Sequence, residues 1–200
     1  MARGQSTTVK LAGAVVVAIA ALVAGFMSVD PTIDERREPN LTEQTGAVLG
    51  TVDHIADGDT LTVRTSAGRT ERVRLIGIDA PELSTTRTGY AECGGQEARD
   101  ELERWAPRGT RVRFSTDPTQ DERDRFGRLL GYVAPDRVQG GTAEDALQVR
   151  LLRAGWARVY VYARSPFEYA RSYREIAAEA KRARRGVWAA CGGRFDRPIR

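Results

Sequence analysis

The chain has very few of the soft metal ligands and nucleophile partners that many enzymes use. Its 200 residues include two cysteines and a single histidine, His54. A closed Cys/His zinc site needs four such ligands, one more than the chain has, so this class of site is excluded. A Ser-His-Asp triad is disfavoured as well, because the one histidine is not accompanied by a G-x-S-x-G nucleophile elbow. Any bound metal is therefore expected to be held by oxygen atoms.

The chain also lacks a strong net charge of either sign. It has 31 Lys and Arg against 27 Asp and Glu, a formal net charge of +4. Residues 1–27 carry two cations and no acid, and residues 28–45 carry five acids and two arginines. About +5 is thus left for residues 46–200. This mild basic excess is compatible with a polyanionic substrate but does not establish one.

One long apolar run opens the chain, LAGAVVVAIAALVAGFM at residues 11–27, with Arg3 and Lys10 before it. As a helix it would rise about 26 Å, slightly short of the roughly 30 Å hydrocarbon core of a membrane. Residues 1–27 are therefore predicted to be an export signal or an N-terminal membrane anchor, and a poor cleavage site leaves both open. In either case we expect the positively charged residues before the run to stay on the cytoplasmic side of the membrane and the residues after it to be exported.

The remaining chain divides where its composition changes. Residues 28–45 are polar, contain two prolines and show no apolar periodicity, which indicates a linker. A folded domain is predicted for residues 46–192, followed by a short basic tail at residues 193–200.

Hydrophobic periodicity within this domain predicts five strands and three helices. The clearest strand is 61–65, which alternates apolar and polar residues and leads into a turn containing Gly68. The pattern fits an α+β fold, a five-stranded OB-type barrel with three helices, preceded by the N-terminal apolar helix. The expected strands are 47–55, 61–65, 73–78, 110–114 and 128–133, and the expected helices are 94–105, 142–153 and 165–185.

Two acidic turns, at residues 57–60 and 79–82, bracket the second and third predicted strands. A hairpin brings its two ends together, so Asp59 and Asp79 are expected to meet at one edge of the sheet. Two adjacent carboxylates repel each other unless a cation lies nearby. Oxygen ligands favour a hard cation, Ca²⁺ or Mg²⁺, whose shell backbone oxygen, water and a substrate phosphate would complete.

Three further residues supply the other groups that phosphodiester hydrolysis requires. Glu82 can act on the attacking water, and Arg74 and Arg128 can hold a phosphate in the bidentate manner that lysine cannot. Such cations stabilise the charge that develops on the phosphate oxygens during hydrolysis. Each feature alone has an ordinary structural explanation, such as a turn or an exposed strand residue. Their combination favours a nuclease.

The motifs DGDT, VRLIGIDAPE, DRFGRLLGYV, GWARVYVY and RRGVW occur in this order between residues 48 and 188. In content and order they resemble the staphylococcal-nuclease (thermonuclease) family. The resemblance implies an OB barrel with three helices. It also implies a Ca²⁺-dependent nuclease that cleaves DNA and RNA, preferably single-stranded, by attack of water that leaves 3′-phosphates.

The resemblance also assigns site residues. It implies that Asp59 and Asp79 are the metal carboxylates and that Ala80 supplies a backbone carbonyl ligand where the family has a threonine. It places two nucleotide-binding tyrosines on Tyr160 and Tyr162, for which core packing is the alternative, and a third on Phe126, which keeps a face for stacking. The catalytic residues that it implies are Arg74, Glu82 and Arg128.

A non-catalytic nucleic-acid-binding OB module is the alternative function. Copies that have lost activity usually lack the carboxylates or the arginines, whereas this chain retains all five of the residues concerned. The sequence therefore favours a nuclease with DNA and RNA as substrates. We expect a monomer that is extracytoplasmic, either secreted or tethered to the membrane by its N-terminal segment.

The two cysteines, Cys93 and Cys191, are expected to form a disulfide bond. Export places them in an oxidising compartment, and an even count without metal-site spacing favours a bridge. Glycines beside both residues, in ECGG and ACGG, allow their backbones to approach. Two unrelated buried thiols are the alternative.

Overall fold

The computed structural model describes residues 47–83, 89–136 and 145–199. The expected N-terminal helix at 11–27 and the linker at 28–45 lie outside the described residues, and both stay predictions. Within the described residues, no helix combines the length and the apolarity that crossing a membrane requires.

The described part of the chain opens with four strands, and helices and strands then follow in mixed order. Two of the strands are only two residues long, and the last helix is a single turn. The strands are β1 (Val48–Ile55), β2 (Thr60–Thr65), β3 (Thr70–Leu75), β4 (Ile78–Asp79), β5 (Arg111–Ser115), β6 (Leu129–Pro135) and β7 (Arg158–Val159), and the helices are α1 (Gly95–Trp105), α2 (Leu147–Ala154), α3 (Ala170–Arg182) and α4 (Val187–Ala190).

Five of the strands close into a barrel in the order β1-β2-β3-β6-β5, which confirms the predicted five-stranded barrel. All neighbours are antiparallel except β3 and β6, which run parallel with Arg74 opposite Leu130. A register shift between Val52 and His54 bends β1 where it pairs with β2. Such a bulge increases the local twist, which helps a small sheet to close on itself.

The core lies inside the barrel and under its helices. In β2, Leu61 and Val63 are fully buried, Thr62 between them is half-buried and Arg64 after them is exposed, as the alternation predicts. Beyond the barrel, α2 packs on α3, where Tyr173 is 2% exposed. Burying each large apolar side chain contributes roughly 1.5–3 kcal/mol. The helices therefore cover the parts of the barrel that would otherwise expose apolar surface.

The predicted third strand, 73–78, is divided in two. β3 ends at Leu75, and Gly77 has a φ of 79°, which redirects the chain. After this turn, β4 pairs with β7 in a separate two-stranded sheet, with Asp79 opposite Arg158. The second acidic turn is therefore held by a later part of the chain and not by the barrel alone.

The predicted third helix begins later than expected, at Ala170 instead of residue 165. Side chains from the loop after β5 hold the residues before it in a non-helical conformation. Gln120 donates to the carbonyl of Ser165 at 3.2 Å, and the backbone N–H of Glu168 donates to Asp117 at 2.8 Å. These tertiary hydrogen bonds prevail over the Ser-Pro helix start.

The predicted disulfide between Cys93 and Cys191 is present, with Cα atoms 5.9 Å apart and a sequence separation of 98. Beyond Cys191 the chain packs against the domain. Phe195 is 3% exposed and its ring centroid lies 5.2 Å from that of Trp188. The chain then pairs with the segment that precedes α1, where Glu92 and Pro198 form a β-bridge.

Candidate active site

The first acidic turn places Asp59 at the start of β2, where its carboxylate is 5% exposed. Its backbone N–H donates to the Asp57 carboxylate at 3.0 Å, which shapes the turn. Its Oδ1 accepts from the Thr60 hydroxyl at 3.1 Å, and its Oδ2 accepts from the backbone N–H of Ala80 at 3.0 Å. The last bond joins the two acidic turns directly, as the hairpin argument predicts.

Burial raises the pKa of Asp59 to about 6, because the charged form loses hydration. The Arg74 guanidinium beside it acts in the opposite direction, and the neighbouring Asp57 raises the pKa further. The carboxylate is thus held where its negative charge is only partly balanced by the protein. A cation close to Asp59 would stabilise the ionised form.

Arg74 lies at the end of β3, is 9% exposed and is the centre of the site. Its Nη1 donates to the carbonyls of Leu75 and Ile78, both at 2.8 Å. Its Nη2 lies 2.9 Å from Asp59 Oδ2 and 3.7 Å from Asp79 Oδ1. One guanidinium therefore contacts both of the carboxylates that the sequence selects, and the backbone holds it in that orientation.

Asp79 has a second arginine partner. The guanidinium of Arg158, on β7, binds Asp79 Oδ2 through Nε at 2.9 Å and through Nη2 at 2.8 Å. Both contacts are to the same carboxylate oxygen, Oδ2. The other oxygen, Oδ1, faces Arg74. The side chain of Asp79 is oriented from both sides as a result.

Arg128 reaches the site from the start of β6. Asp124 orients it, accepting from Arg128 Nε at 2.7 Å and lying 2.6 Å from Nη2. Arg128 Nη1 lies 3.3 Å from the Thr60 hydroxyl, which in turn donates to Asp59. Phe126 is 65% exposed, with its ring centroid 5.4 Å from the Arg128 guanidinium carbon. A continuous polar network therefore links Arg128 to Asp59.

Glu82 follows Ala80 in the second acidic turn, and its backbone is held by Glu92. The Glu92 carboxylate accepts from the backbone N–H of Glu82 at 2.7 Å, and the N–H of Glu92 donates to the Glu82 carbonyl at 2.8 Å. Glu92 is 8% exposed. The backbone from which the predicted water-binding carboxylate projects is thus fixed by two reciprocal hydrogen bonds.

Tyr160 and Tyr162 are on the surface, 46% and 62% exposed, so the alternative of core packing is wrong. β7 ends at Val159, and a 3₁₀ turn begins at Tyr162, so the two rings do not follow one regular strand as the sequence pattern predicts. Tyr160 is still tied to the site region, because its N–H donates to the Gly77 carbonyl at 2.9 Å.

Comparison with known families agrees with this geometry. The family model described as "Staphylococcal nuclease homologue" matches residues 72–190. That match covers more than half of the chain. The chain belongs to the staphylococcal nuclease family. The resemblance that the motifs carry is thereby confirmed.

Relatives of this staphylococcal nuclease family member carry nuclease names. The chain is 29% identical over 174 residues to a thermonuclease of Staphylococcus hyicus, a match that covers 87% of this chain and 93% of that protein. It is 30% identical over 155 residues to endonuclease YncB of Bacillus subtilis, covering 77% of this chain and 68% of YncB. Endonuclease YhcR of the same species matches at 26% over 78% of this chain, which spans only 12% of YhcR.

These relatives identify the chain as a nuclease, a hydrolase of the endonuclease type. The alternative of a non-catalytic nucleic-acid-binding module is not supported. Five residues that the motifs select as metal-binding and catalytic, Asp59, Arg74, Asp79, Glu82 and Arg128, are all present, and contacts join four of them in one network.

The oxygen atoms of this staphylococcal nuclease site fit a hard cation. Asp59 and Asp79 supply carboxylate oxygens, and Ala80, next to Asp79 in the chain, supplies a backbone carbonyl oxygen. The negative charge of the buried Asp59 is only partly balanced by the protein. Among the described residues, no three His, Cys, Asp or Glu side chains cluster as a complete metal site. A cation held here would therefore need ligands from backbone, water and substrate, as the sequence predicts.

Three residues of the site were not identified from the sequence. Asp124, Arg158 and Glu92 orient Arg128, Asp79 and the Glu82 backbone respectively. Asp124 precedes Arg128 by four residues in the motif DRFGR, which is a signal that local reasoning could have used. Arg158 lies 79 positions from its partner, and no local pattern indicates that pairing.

Proposed function

We propose that this chain is an exported, Ca²⁺-dependent endonuclease that hydrolyses phosphodiester bonds of DNA and RNA and leaves 3′-phosphate products. The observation that carries this proposal is the position of Arg74, whose Nη2 lies 2.9 Å from Asp59 and 3.7 Å from Asp79. It supports a site in which two hard carboxylates and a guanidinium act on the same phosphate.

Asp59, Asp79 and the Ala80 carbonyl would hold the Ca²⁺. When bound, the ion supplies Lewis-acid polarisation of the phosphate and neutralises part of its charge. Asp59 is buried at the start of a strand, and Asp79 is held by Arg158, so neither carboxylate needs to reorganise when a cation binds. Such preorganised ligands make binding more favourable.

Glu82 positions the attacking water and accepts or directs its proton. The water oxygen forms a bond to phosphorus, and the bond from phosphorus to the 5′-oxygen breaks. The 5′-oxygen leaves with the bonding electrons and takes up a proton from water to become a hydroxyl, so that the phosphate stays on the 3′-side. Arg74 and Arg128 hold the equatorial phosphate oxygens, where charge increases during the reaction. Asp124 keeps the Arg128 guanidinium in place for this role.

Three exposed aromatic residues would bind the bases. Phe126, Tyr160 and Tyr162 are 65%, 46% and 62% exposed. Base stacking on such rings tolerates any sequence and requires bases that are not already stacked within a duplex. We therefore propose a preference for single-stranded and denatured nucleic acid.

Export is proposed from two features. The apolar run at residues 11–27 has the composition of a signal or an anchor, and the Cys93–Cys191 disulfide is typical of an oxidising compartment. We propose an extracytoplasmic protein that is secreted or tethered to the membrane by its N-terminal segment, and that acts as a monomer.

The full chain should be assayed on denatured DNA, duplex DNA and RNA, each with Ca²⁺ and with excess chelator. Cleavage is expected only with Ca²⁺ and faster on denatured DNA. Products should carry 5′-hydroxyl ends, which a polynucleotide kinase labels without prior phosphatase treatment. Equal rates in chelator would disprove the metal assignment, and 5′-phosphate ends would disprove the direction of bond cleavage.

A further inference from the structure

The family match ends at residue 190, and the chain continues with a folded C-terminal segment, residues 191–199. This segment is held by the disulfide to Cys93 and by backbone hydrogen bonds. The N–H of Cys93 donates to the carbonyl of Arg197 at 2.7 Å, and the N–H of Ile199 donates to the carbonyl of Ala91 at 2.9 Å. The C-terminal segment therefore forms a second support for residues 91–93, just before α1.

The first route from the C-terminal segment to the active site runs through Glu92. This residue lies between the two positions that the segment holds, and it forms the β-bridge with Pro198. Its carboxylate and its N–H make the two reciprocal hydrogen bonds with the backbone of Glu82, at 2.7 and 2.8 Å. The position of Glu82 is therefore coupled to a segment more than 100 residues away in the sequence.

The second route runs through Arg158. The Arg158 guanidinium carbon lies 5.6 Å from the ring centroid of Phe195, which is 3% exposed and belongs to the C-terminal segment. The same guanidinium donates twice to Asp79 Oδ2, at 2.9 and 2.8 Å. Phe195 thus limits where the Arg158 guanidinium can lie. Because this guanidinium binds Asp79 Oδ2, Oδ1 is the oxygen that faces Arg74.

We propose that the C-terminal segment is a positioning element of the nuclease site, and that Glu92 and Arg158 are the positioning residues through which it orients Glu82 and Asp79. The inference rests on the proposed roles of Glu82 and Asp79. Hydrogen-bond partners behind metal ligands commonly change metal affinity or activity about 10- to 100-fold when they are removed. A small misplacement of a group that orients water has a comparable effect on rate.

Arg158 is tested by replacing it with alanine and measuring Ca²⁺ binding by calorimetry without nucleic acid. Arg158→Ala is expected to weaken Ca²⁺ binding about 10- to 100-fold, with a smaller change of kcat at saturating Ca²⁺. The side chain is 47% exposed, so the fold is expected to survive. The control is Arg171→Ala, which removes an exposed arginine whose ion pair among the described residues is with Glu175 on α3. Wild-type Ca²⁺ affinity in Arg158→Ala would overturn this role.

Glu92 is tested with a pair of variants. Glu92→Ala removes the acceptor and is expected to lower kcat while KM for the nucleic acid and the Ca²⁺ affinity change little. Glu92→Gln retains an oxygen that can accept the Glu82 N–H and is expected to restore much of kcat. All assays are run well below each variant's melting temperature. A Glu92→Ala variant that melts earlier but keeps the wild-type kcat would show a purely structural role and overturn the proposal.

The C-terminal segment itself is tested by Phe195→Ala and by reduction of the disulfide. Phe195→Ala should weaken Ca²⁺ binding in the same direction as Arg158→Ala, and reduction should lower kcat in the direction of Glu92→Ala. Wild-type values in both experiments would overturn the role of the segment. A wild-type protein that cleaves equally well in chelator would disprove the proposed function itself. Normal Ca²⁺ dependence of the wild type together with unaffected variants would instead disprove only the positioning role.

Discussion

Arginine side chains in this site make contacts that lysine cannot reproduce. Arg74 uses one terminal nitrogen for two backbone carbonyls and the other for Asp59. Arg128 places Nε and Nη2 on Asp124 while Nη1 lies next to Thr60. A lysine has a single donor group at its end, so it could satisfy only part of either set.

Arg128→Lys is therefore expected to lower kcat by about 10²–10³, which is typical for the loss of one preorganised electrostatic group. Because lysine retains the positive charge, a loss of kcat would show that the geometry of the Arg128 guanidinium is required. Arg171→Lys serves as the matched control, because Arg171 is highly exposed and lies on α3. Near-wild-type kcat in a folded Arg128→Lys protein would show that Arg128 does not act on the phosphate.

Asp117 is a buried carboxylate outside the active site that joins three parts of the fold. It accepts from the N–H and hydroxyl of Thr119 at 2.7 and 2.6 Å, from the Tyr132 hydroxyl and from the N–H of Glu168 at 2.8 Å. Burial alone would raise the pKa of Asp117, but these hydrogen bonds outweigh it and hold the pKa below the usual value. The ionised form is thus the stabilising one.

Asp117→Asn is expected to destabilise the fold by about 1–3 kcal/mol at neutral pH, because an amide group cannot accept all of these hydrogen bonds. A depressed pKa in the folded state contributes stability above the unfolded pKa of about 3.9, and this contribution is lost as pH falls through the folded value. The stability difference between wild type and variant should therefore shrink below about pH 4. Denaturant unfolding at pH 7 and pH 3 measures it, and a pH-independent difference would contradict this account.

The first acidic turn is held against α1 by a glycine. A Cβ atom added at Gly58 would lie 2.6 Å from the Cβ of Ala98 and 2.7 Å from the Cβ of Ala80. Both distances are well inside van der Waals contact, so the turn, the helix or the second acidic turn would have to move. The close approach of these three elements determines where Asp59 lies relative to Ala80.

Gly58→Ala is expected to cost about 1–3 kcal/mol of stability, as overpacking does, and to lower Ca²⁺ affinity because the two acidic turns separate. Gly68→Ala is the control, since Gly68 has a φ of 78° and open space around it. That variant should lose stability through backbone strain without any change in Ca²⁺ binding. Thermal melting and calorimetry on both proteins distinguish the two effects.

The disulfide joins Cys93, just before α1, to Cys191, just after α4, at a sequence separation of 98. For a loop of this length, chain-entropy models give roughly 4–5 kcal/mol of stabilisation, and measured values are typically 2–4 kcal/mol. Reduction is therefore expected to lower the melting temperature by about 10 °C. Melting with and without reductant measures the effect. Unchanged melting, with both thiols shown to be free, would mean that the bridge does not stabilise the fold.

The barrel strands and the contact between the two acidic turns follow from local sequence. Alternation along β2 selects its buried residues, because side chains on successive strand positions point to opposite faces. The hairpin between the acidic turns brings Asp59 near residues 79 and 80, because its two ends must meet wherever the strands pair in register. The disulfide follows from an even cysteine count in a chain that is predicted to be exported.

Tertiary packing alone decided the remaining features. α3 begins at Ala170 and β4 leaves the barrel to pair with β7, because contacts with distant segments outweigh local preference at those points. Arg158 orients Asp79 across 79 residues, and Glu92 holds Glu82 only because the C-terminal segment returns to it. Local sequence patterns report which face of an element is apolar. They do not indicate which polar side chain from a distant part of the sequence will lie beside that element.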